Sequence, residues 1–187
     1  MNKLSVVVIA ITVFTLTAFK PYAGKLVSKD AHISFFSHTA LEDITANNYK
    51  VVSTLDPTTG DVVYSVPMQS FEFEKALMQK HFNSKDFLNT KKFPKAKFTG
   101  KITNLDAVDF DKDGTYEVIV AGDLNIKEET KPLNEKATVK VEGDKVTLDS
   151  KMNVVLADYG VTFTKGKPST NVAKEVAVTV KAVYQKE

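Results

Sequence analysis

The chain has 187 residues, room for one ordinary domain, and its 43% hydrophobic and 26% charged content excludes disorder as the main state. All 25 basic residues are lysine, set against 23 acids, so the guanidinium forks that commonly read phosphate and nucleic acid are missing. There is no cysteine, which rules out thiol catalysis, disulfides, thiolate metal sites and a lipobox anchor.

The chain opens on Lys3 and an uncharged apolar run of sixteen residues, Leu4 to Phe19. That run is short for a spanning helix, and Lys20-Pro21-Tyr22 closes it before the small pair Ala23-Gly24. Residues 1–23 are therefore expected to be a signal peptide and residues 24–187 a single domain, the competing reading being an uncleaved N-terminal anchor. Cleavage would remove Lys3 and Lys20 and leave a mature chain of 164 residues with 23 lysines against 23 acids. A neutral periplasmic or secreted protein has no electrostatic field to gather nucleic acid or an anionic membrane surface, so no nucleic-acid partner is expected.

From Lys25 onward the dominant period is two, the period of strands with one buried and one wet face. It runs through Ile33 and Phe35, then Val62, Tyr64 and Val66, with Asp56-Pro57-Thr58-Thr59-Gly60 as a turn signal between them. Glu74 to Leu88 breaks the pattern: Leu77, Met78, His81 and Phe82 recur at helical spacing, and Ser84 could cap a second short turn carrying Phe87 and Leu88. This predicts a small amphipathic helix pair, after which Pro94 restarts an extended strand at Lys95. Alternation resumes at Phe98, Gly100 and Ile102 and is cleanest at Tyr116, Val118, Val120, Gly122, Leu124 and Ile126. It returns at Val146, Leu148, Met152, Val154 and Leu156 and closes the chain at Val176, Val178, Val180, Ala182 and Tyr184. Asp111-Lys112-Asp113-Gly114 and Glu142-Gly143-Asp144-Lys145 read as hairpin turns, and Asp158 to Thr170 is one long turn-rich stretch. About eight strands joined mostly by hairpins predict a mainly β protein, a closed antiparallel eight-stranded barrel with a short helical insert. A barrel is preferred to a sandwich because strands as long as Tyr116 to Lys127 would leave exposed edges in an open sheet.

Asp109, Asp111, Asp113, Gly114 and Glu117 match positions one, three, five, six and nine of a calcium loop. The twelfth position is Val120, where a bidentate Glu is required, and no helices flank the loop, so an acidic hairpin tip is the expected reading and no metal is assigned. His32 and His38 lie six residues apart on one strand, about 20 Å in extended chain, too far to share an ion. His81 sits among Leu77, Met78 and Phe82, as a hydrogen-bonded core histidine would. No serine stands in a Gly-x-Ser-x-Gly elbow or a Ser-x-x-Lys pair, and no Gly-rich loop could cradle phosphate, so neither catalytic residues nor a cofactor is predicted. The apolar inventory is the stronger signal. An eight-stranded barrel either fills itself with side chains or holds one thin ligand. Gly100 and Gly122 among bulky Phe35, Phe71, Phe73, Phe98 and Tyr116 are compatible with an open bore or with bends in a solid core.

The run from Ser70-Phe71-Glu72-Phe73-Glu74-Lys75-Ala76-Leu77-Met78 through His81-Phe82-Asn83, continuing in Phe93-Pro94-Lys95-Ala96-Lys97-Phe98-Thr99-Gly100-Lys101-Ile102, resembles the signature of the YceI-like family. So do Ile33-Ser34-Phe35 with Ser37-His38-Thr39, Gly122-Asp123-Leu124-Asn125-Ile126, Thr130-Lys131 and Ala173-Lys174. The resemblance implies a lipocalin-like barrel, periplasmic or secreted and commonly homodimeric, without catalytic activity, that binds a long apolar molecule such as a polyisoprenoid or isoprenoid quinone. Where relatives place Gly before Thr-Lys this chain has Glu128-Glu129, which implies a differently shaped turn at one barrel end. Matched by face, the expected ligand-binding residues are Phe35, Phe71, Phe73, Leu77, Met78, Phe82, Phe98, Ile102, Val118, Val120, Leu124, Met152 and Val154. The expected function is to carry or store an isoprenoid-type lipid in the cell envelope. The alternative is a stress-related structural or interaction protein with a solid barrel whose insert at Leu77 to Leu88 docks a partner. An enzyme acting on a lipid or small amide would need His38 or His81 beside Glu42 or Glu74.

Overall fold

The computed structural model describes residues 24–40, 42–161 and 173–186; the expected signal peptide lies outside the described residues. Nine strands run β1 (Leu26–His38), β2 (Asp43–Leu55), β3 (Asp61–Pro67), β4 (Glu72–Phe73), β5 (Lys95–Ile102), β6 (Gly114–Ile126), β7 (Glu129–Glu142), β8 (Lys145–Val155) and β9 (Glu175–Gln185). Eight of them pair antiparallel in the order β1-β2-β3-β5-β6-β7-β8-β9, and β9 returns to β1 to close the barrel. β4, two residues long, adds onto β2 through Ala46 and Asn47. No helix among the described residues is long and apolar enough to cross a membrane.

The inward residues are those that alternation predicts. Ile33, Val62, Tyr64, Val66, Phe98, Ile102, Val118, Val120, Val146, Leu148, Val154, Val176, Val180, Ala182 and Tyr184 are all buried. Two strands lacked a legible pattern. In β2 the register with β1 slips on either side of the Ala31↔Val51 pair, so Ala46 and Asn48 are buried above the slip and Val51, Ser53 and Leu55 below it. An extra residue of this kind reverses the phase of a strand. In β7 the half nearest the β6 turn carries half-buried Glu135 among its inward positions, which breaks the apolar alternation there.

One half of the barrel is solid. Leu26, Leu55, Val62, Ile102, Val118, Val139, Val141, Val146 and Tyr184 are packed with at most 2% exposure each, and Phe110, from the β5–β6 connection, is buried with them. Asp109 to Asp113 is not a hairpin tip but the last stretch of that connection. Asp109 accepts a hydrogen bond from the Asp111 N–H at 3.0 Å, and Asp113 accepts one from Gly143 N–H at 2.7 Å. Lys186 donates to the carbonyls of Phe110 and Gly143, so the loop is knitted to the β7–β8 hairpin. Among the described residues no three metal-ligating side chains converge.

Gly100 and Gly122 face each other across β5 and β6. A Cβ on Gly122 would lie 2.3 Å from the Gly100 Cα and from the Thr99 carbonyl oxygen, and one on Gly100 would meet the Phe98 ring at 2.4 Å. These glycines therefore let two backbones approach and let Phe98 fold its ring over the vacated space. Gly122→Ala is expected to destabilise the protein by about 2 kcal/mol or more, because the obstruction is backbone that cannot rotate away. Urea denaturation measures it, and a change below about 0.5 kcal/mol would refute the account.

Candidate functional site: an apolar cavity in the open half

The other half of the barrel is hollow. A cavity of about 530 Å³ lies between the walls and the helical insert, with apolar side chains making most of its lining. Its size falls among small-molecule sites, roughly 300–1,000 Å³.

The insert begins where the β3–β5 connection leaves the barrel. Helix α1 (Ala76–Asn83) opens on good helix formers, Ala76 to Lys80, and has Lys80 and His81 in its last turn, where positive charge is favoured. Eight residues cannot sustain a helix in water, so tertiary contacts hold it. Phe82 is its buried anchor. The Phe82 ring lies 5.0 Å from Phe73, 5.4 Å from Phe71, 5.8 Å from Phe35 and 6.4 Å from Phe87, centroid to centroid. Aromatic pairs at such spacing add about 0.5–1.5 kcal/mol each beyond their burial. The chain after α1 does not form the second helix of the predicted pair. Ser84 caps α1, its carbonyl accepts the N–H groups of Phe87 and Asn89, and Asn89 turns the chain at φ 46°. Thr90, wholly buried, donates to Asn83 at 2.7 Å and locks the return loop to the helix end. Lys75 pairs with Glu42, fixing the helix start to the β1–β2 connection.

The β6–β7 turn reaches across the same end. It is a tight two-residue turn, with Ile126 paired to Glu129. Lys127 takes the left-handed conformation at φ 57°. That is uncommon for a residue with a side chain, and its Nζ donates to the carbonyls of Phe87 at 3.3 Å and Gly160 at 3.0 Å. Glu128 pairs with Lys92 at 2.7 Å, and the ammonium holds its carboxyl below the usual range.

Of the side chains expected to bind ligand, Phe35, Phe71, Phe73, Leu77, Met78, Phe82, Phe98, Val120, Leu124, Met152 and Val154 line this cavity. Ile102 and Val118 face inward too but belong to the solid half, 1% and 2% exposed and off the cavity wall. Alternation assigned their face correctly but carries no information on their level along the barrel axis. Sequence reasoning did not nominate Val176, Val178 and Val180 of β9, Leu133 and Glu135 of β7, Ser150 of β8, or Leu156, Tyr159 and Val161, all of which also line the cavity. The β9 set was visible as an alternating strand. Glu135 and Ser150 carried no signal, being polar residues at inward positions.

At the boundary between the two halves lies a buried polar group. Tyr184 shares a 2.6 Å hydrogen bond with Ser53, and Tyr64, on the cavity wall, couples to both. Burial is the main cause raising both phenols, Tyr184 to about 12.

The histidines are dispersed. His32 is stacked on Tyr49 at 4.5 Å and hydrogen-bonds Asn47, His38 pairs with Asp43, and His81 stands exposed at the cavity mouth instead of in the core.

The fold and the hollow half define a lipocalin-like β-barrel with an apolar cavity at one end. The YceI-like domain model matches residues 12–184, and the chain belongs to that family. It is 28% identical to the protein YceI of Escherichia coli O17:K52:H18 over 137 residues, 70% of this chain and 66% of that protein. It is 27% identical to a UPF0312 protein of Pseudomonas putida W619 over 165 residues, 84% of this chain and 80% of the other. Among solved structures it is similar to a polyisoprenoid-binding domain from Saccharophagus degradans, with a TM-score of 0.72 at 11% identity, covering 87% of this chain and 98% of that one. Burkholderia cenocepacia BcnA superposes with a TM-score of 0.68 at 20% identity, covering 82% and 95%.

Proposed function

We propose that this protein binds a long apolar lipid of the polyisoprenoid or isoprenoid-quinone type in its barrel and carries or stores it in the cell envelope. The observation that supports this most is the cavity itself, about 530 Å³ walled by the Phe35, Phe71, Phe73, Phe82 and Phe87 cluster and by strand-borne aliphatic side chains. Burial of roughly 20 methylene equivalents at about 0.8 kcal/mol each releases about 16 kcal/mol, which exceeds an association cost of about 4–15 kcal/mol. The polyisoprenoid-binding domain of S. degradans shares the fold. The proposal includes export under a signal at residues 1–23, which would place the lipid site in the periplasm or outside the cell, and a homodimer as the carrier unit.

The solid-barrel alternative loses its premise in the open half. Its docking helix turns Met78 and Phe82 to the cavity and leaves Leu77 58% exposed at the rim. Native mass spectrometry of protein purified without detergent tests the proposal. A co-purifying apolar molecule, or stoichiometric uptake of added isoprenoid quinone or polyprenol, is expected. A folded protein that neither arrives with lipid nor takes any up would overturn it.

A further inference from the structure

The β7–β8 ladder stops halfway up the barrel. Its pairs run from Glu142↔Lys145 to Ala137↔Ser150 and no further. Above that level β7 continues to pair with β6 as far as Glu129, and β8 with β9 as far as Val155. Among the described residues the ladder therefore leaves a lateral slot between β7 and β8 in the hollow half, with the turn Leu156–Tyr159 packed against β7. Ala137 and Ser150 line the cavity and also an outer cleft that holds Lys136 and Lys151 beside Glu117 and Asp149. Glu135 is the next inward residue of β7 beyond this point. It lines the cavity between Leu133 and Ala137, half-buried, and no hydrogen bond or ion pair engages it among the described residues.

A carboxylate beside an apolar chamber is costly to desolvate unless something donates to it. A carboxylate only accepts hydrogen bonds, and the Ser150 hydroxyl, which lines the same cavity, can do either. A head group that only accepts, such as a quinone carbonyl or an ether, gains nothing at Glu135. An anionic head is repelled by it, and the outer cleft offers two lysines balanced by two acids. A neutral head that carries O–H or N–H satisfies the carboxylate while its tail fills the chamber. Resting on the lipid-binding reading above, we propose that Glu135, at the β7–β8 slot, selects amphiphiles whose polar end donates a hydrogen bond: alcohols, hydroquinones or primary amides over quinones, ethers and acids.

The test is a matched pair with one tail, geranylgeraniol and its methyl ether, partitioned into the purified protein from cyclodextrin. The alcohol is expected to bind about tenfold tighter, the worth of one hydrogen bond to a charged group. In Glu135→Leu the two affinities should converge to within about twofold, and Glu135→Gln, whose carbonyl still accepts, should keep part of the preference. Circular dichroism melts confirm folding of each variant. Equal affinity for both compounds in the native protein, or a preference that survives Glu135→Leu, overturns this inference alone. Binding of neither compound overturns it together with the lipid-binding reading.

Discussion

Val178→Phe is expected to abolish lipid uptake in a protein that stays folded, and Ile102→Ala to do the reverse. Val178 lies on the cavity wall between its ladder partners Phe35 and Met152, so a larger ring enters unfilled space and meets none of the overpacking that a dense core imposes. Ile102 is 1% exposed in the solid half. Its truncation leaves a void among side chains that cannot collapse, at a cost of about 2–5 kcal/mol. The two readouts are uptake by native mass spectrometry and the urea midpoint. If the V178F protein still takes up lipid, the ligand is not in this chamber. If I102A lost uptake with little loss of stability, the closed half would belong to the binding site after all.

Alkaline pH is expected to unfold the protein through its buried phenols. In the unfolded chain Tyr184 ionises near its ordinary 10, but in the folded barrel burial defers this to about 12. Between those values the unfolded state holds fewer protons, so stability falls as pH rises, at about 1.4 kcal/mol per unit, and Tyr184 alone accounts for about 3 kcal/mol. Tyr64, raised well above its usual value mainly by burial, adds to the loss. The stabilisation is full below pH 10 and gone once the pH has risen through the folded values. Denaturation in urea at intervals from pH 8 upward, with phenolate absorbance recorded alongside, measures it. Tyr184→Phe should lose about 1 kcal/mol at pH 8, from the missing bond to Ser53, yet decline less steeply above pH 10. Phenols that all titrate near 10 while the protein remains folded would contradict the burial argument.

The barrel was legible in the sequence wherever a strand keeps one phase and one apolar face, as β3, β5, β6, β8 and β9 do. β2 hid behind its slip near Val51, where the buried set jumps from even to odd numbers. β7 hid because Glu135 occupies an inward position, so the residue best placed to confer specificity is the one that spoiled the pattern. Ile102 and Val118 mark another limit. Period two reports the face of a residue, but its depth depends on how strands are staggered around the barrel, which no single strand encodes. The split into a solid and a hollow half is a property of that stagger.

The interrupted β7–β8 ladder also bears on strand-to-strand association between copies of the chain. Two stretches of strand, residues 129–136 and 151–155, have one flank each without a described ladder partner. Strand flanks without a ladder partner can invite a neighbour's strand and seed fibrils. Here Pro132 has no N–H to offer, and Lys131, Lys136 and Lys151 place ammonium groups along the two stretches, a charge that an approaching copy would carry as well. Replacing these four residues with threonine or valine would remove that charge, restore the missing N–H and leave flanks on which a second copy could pair.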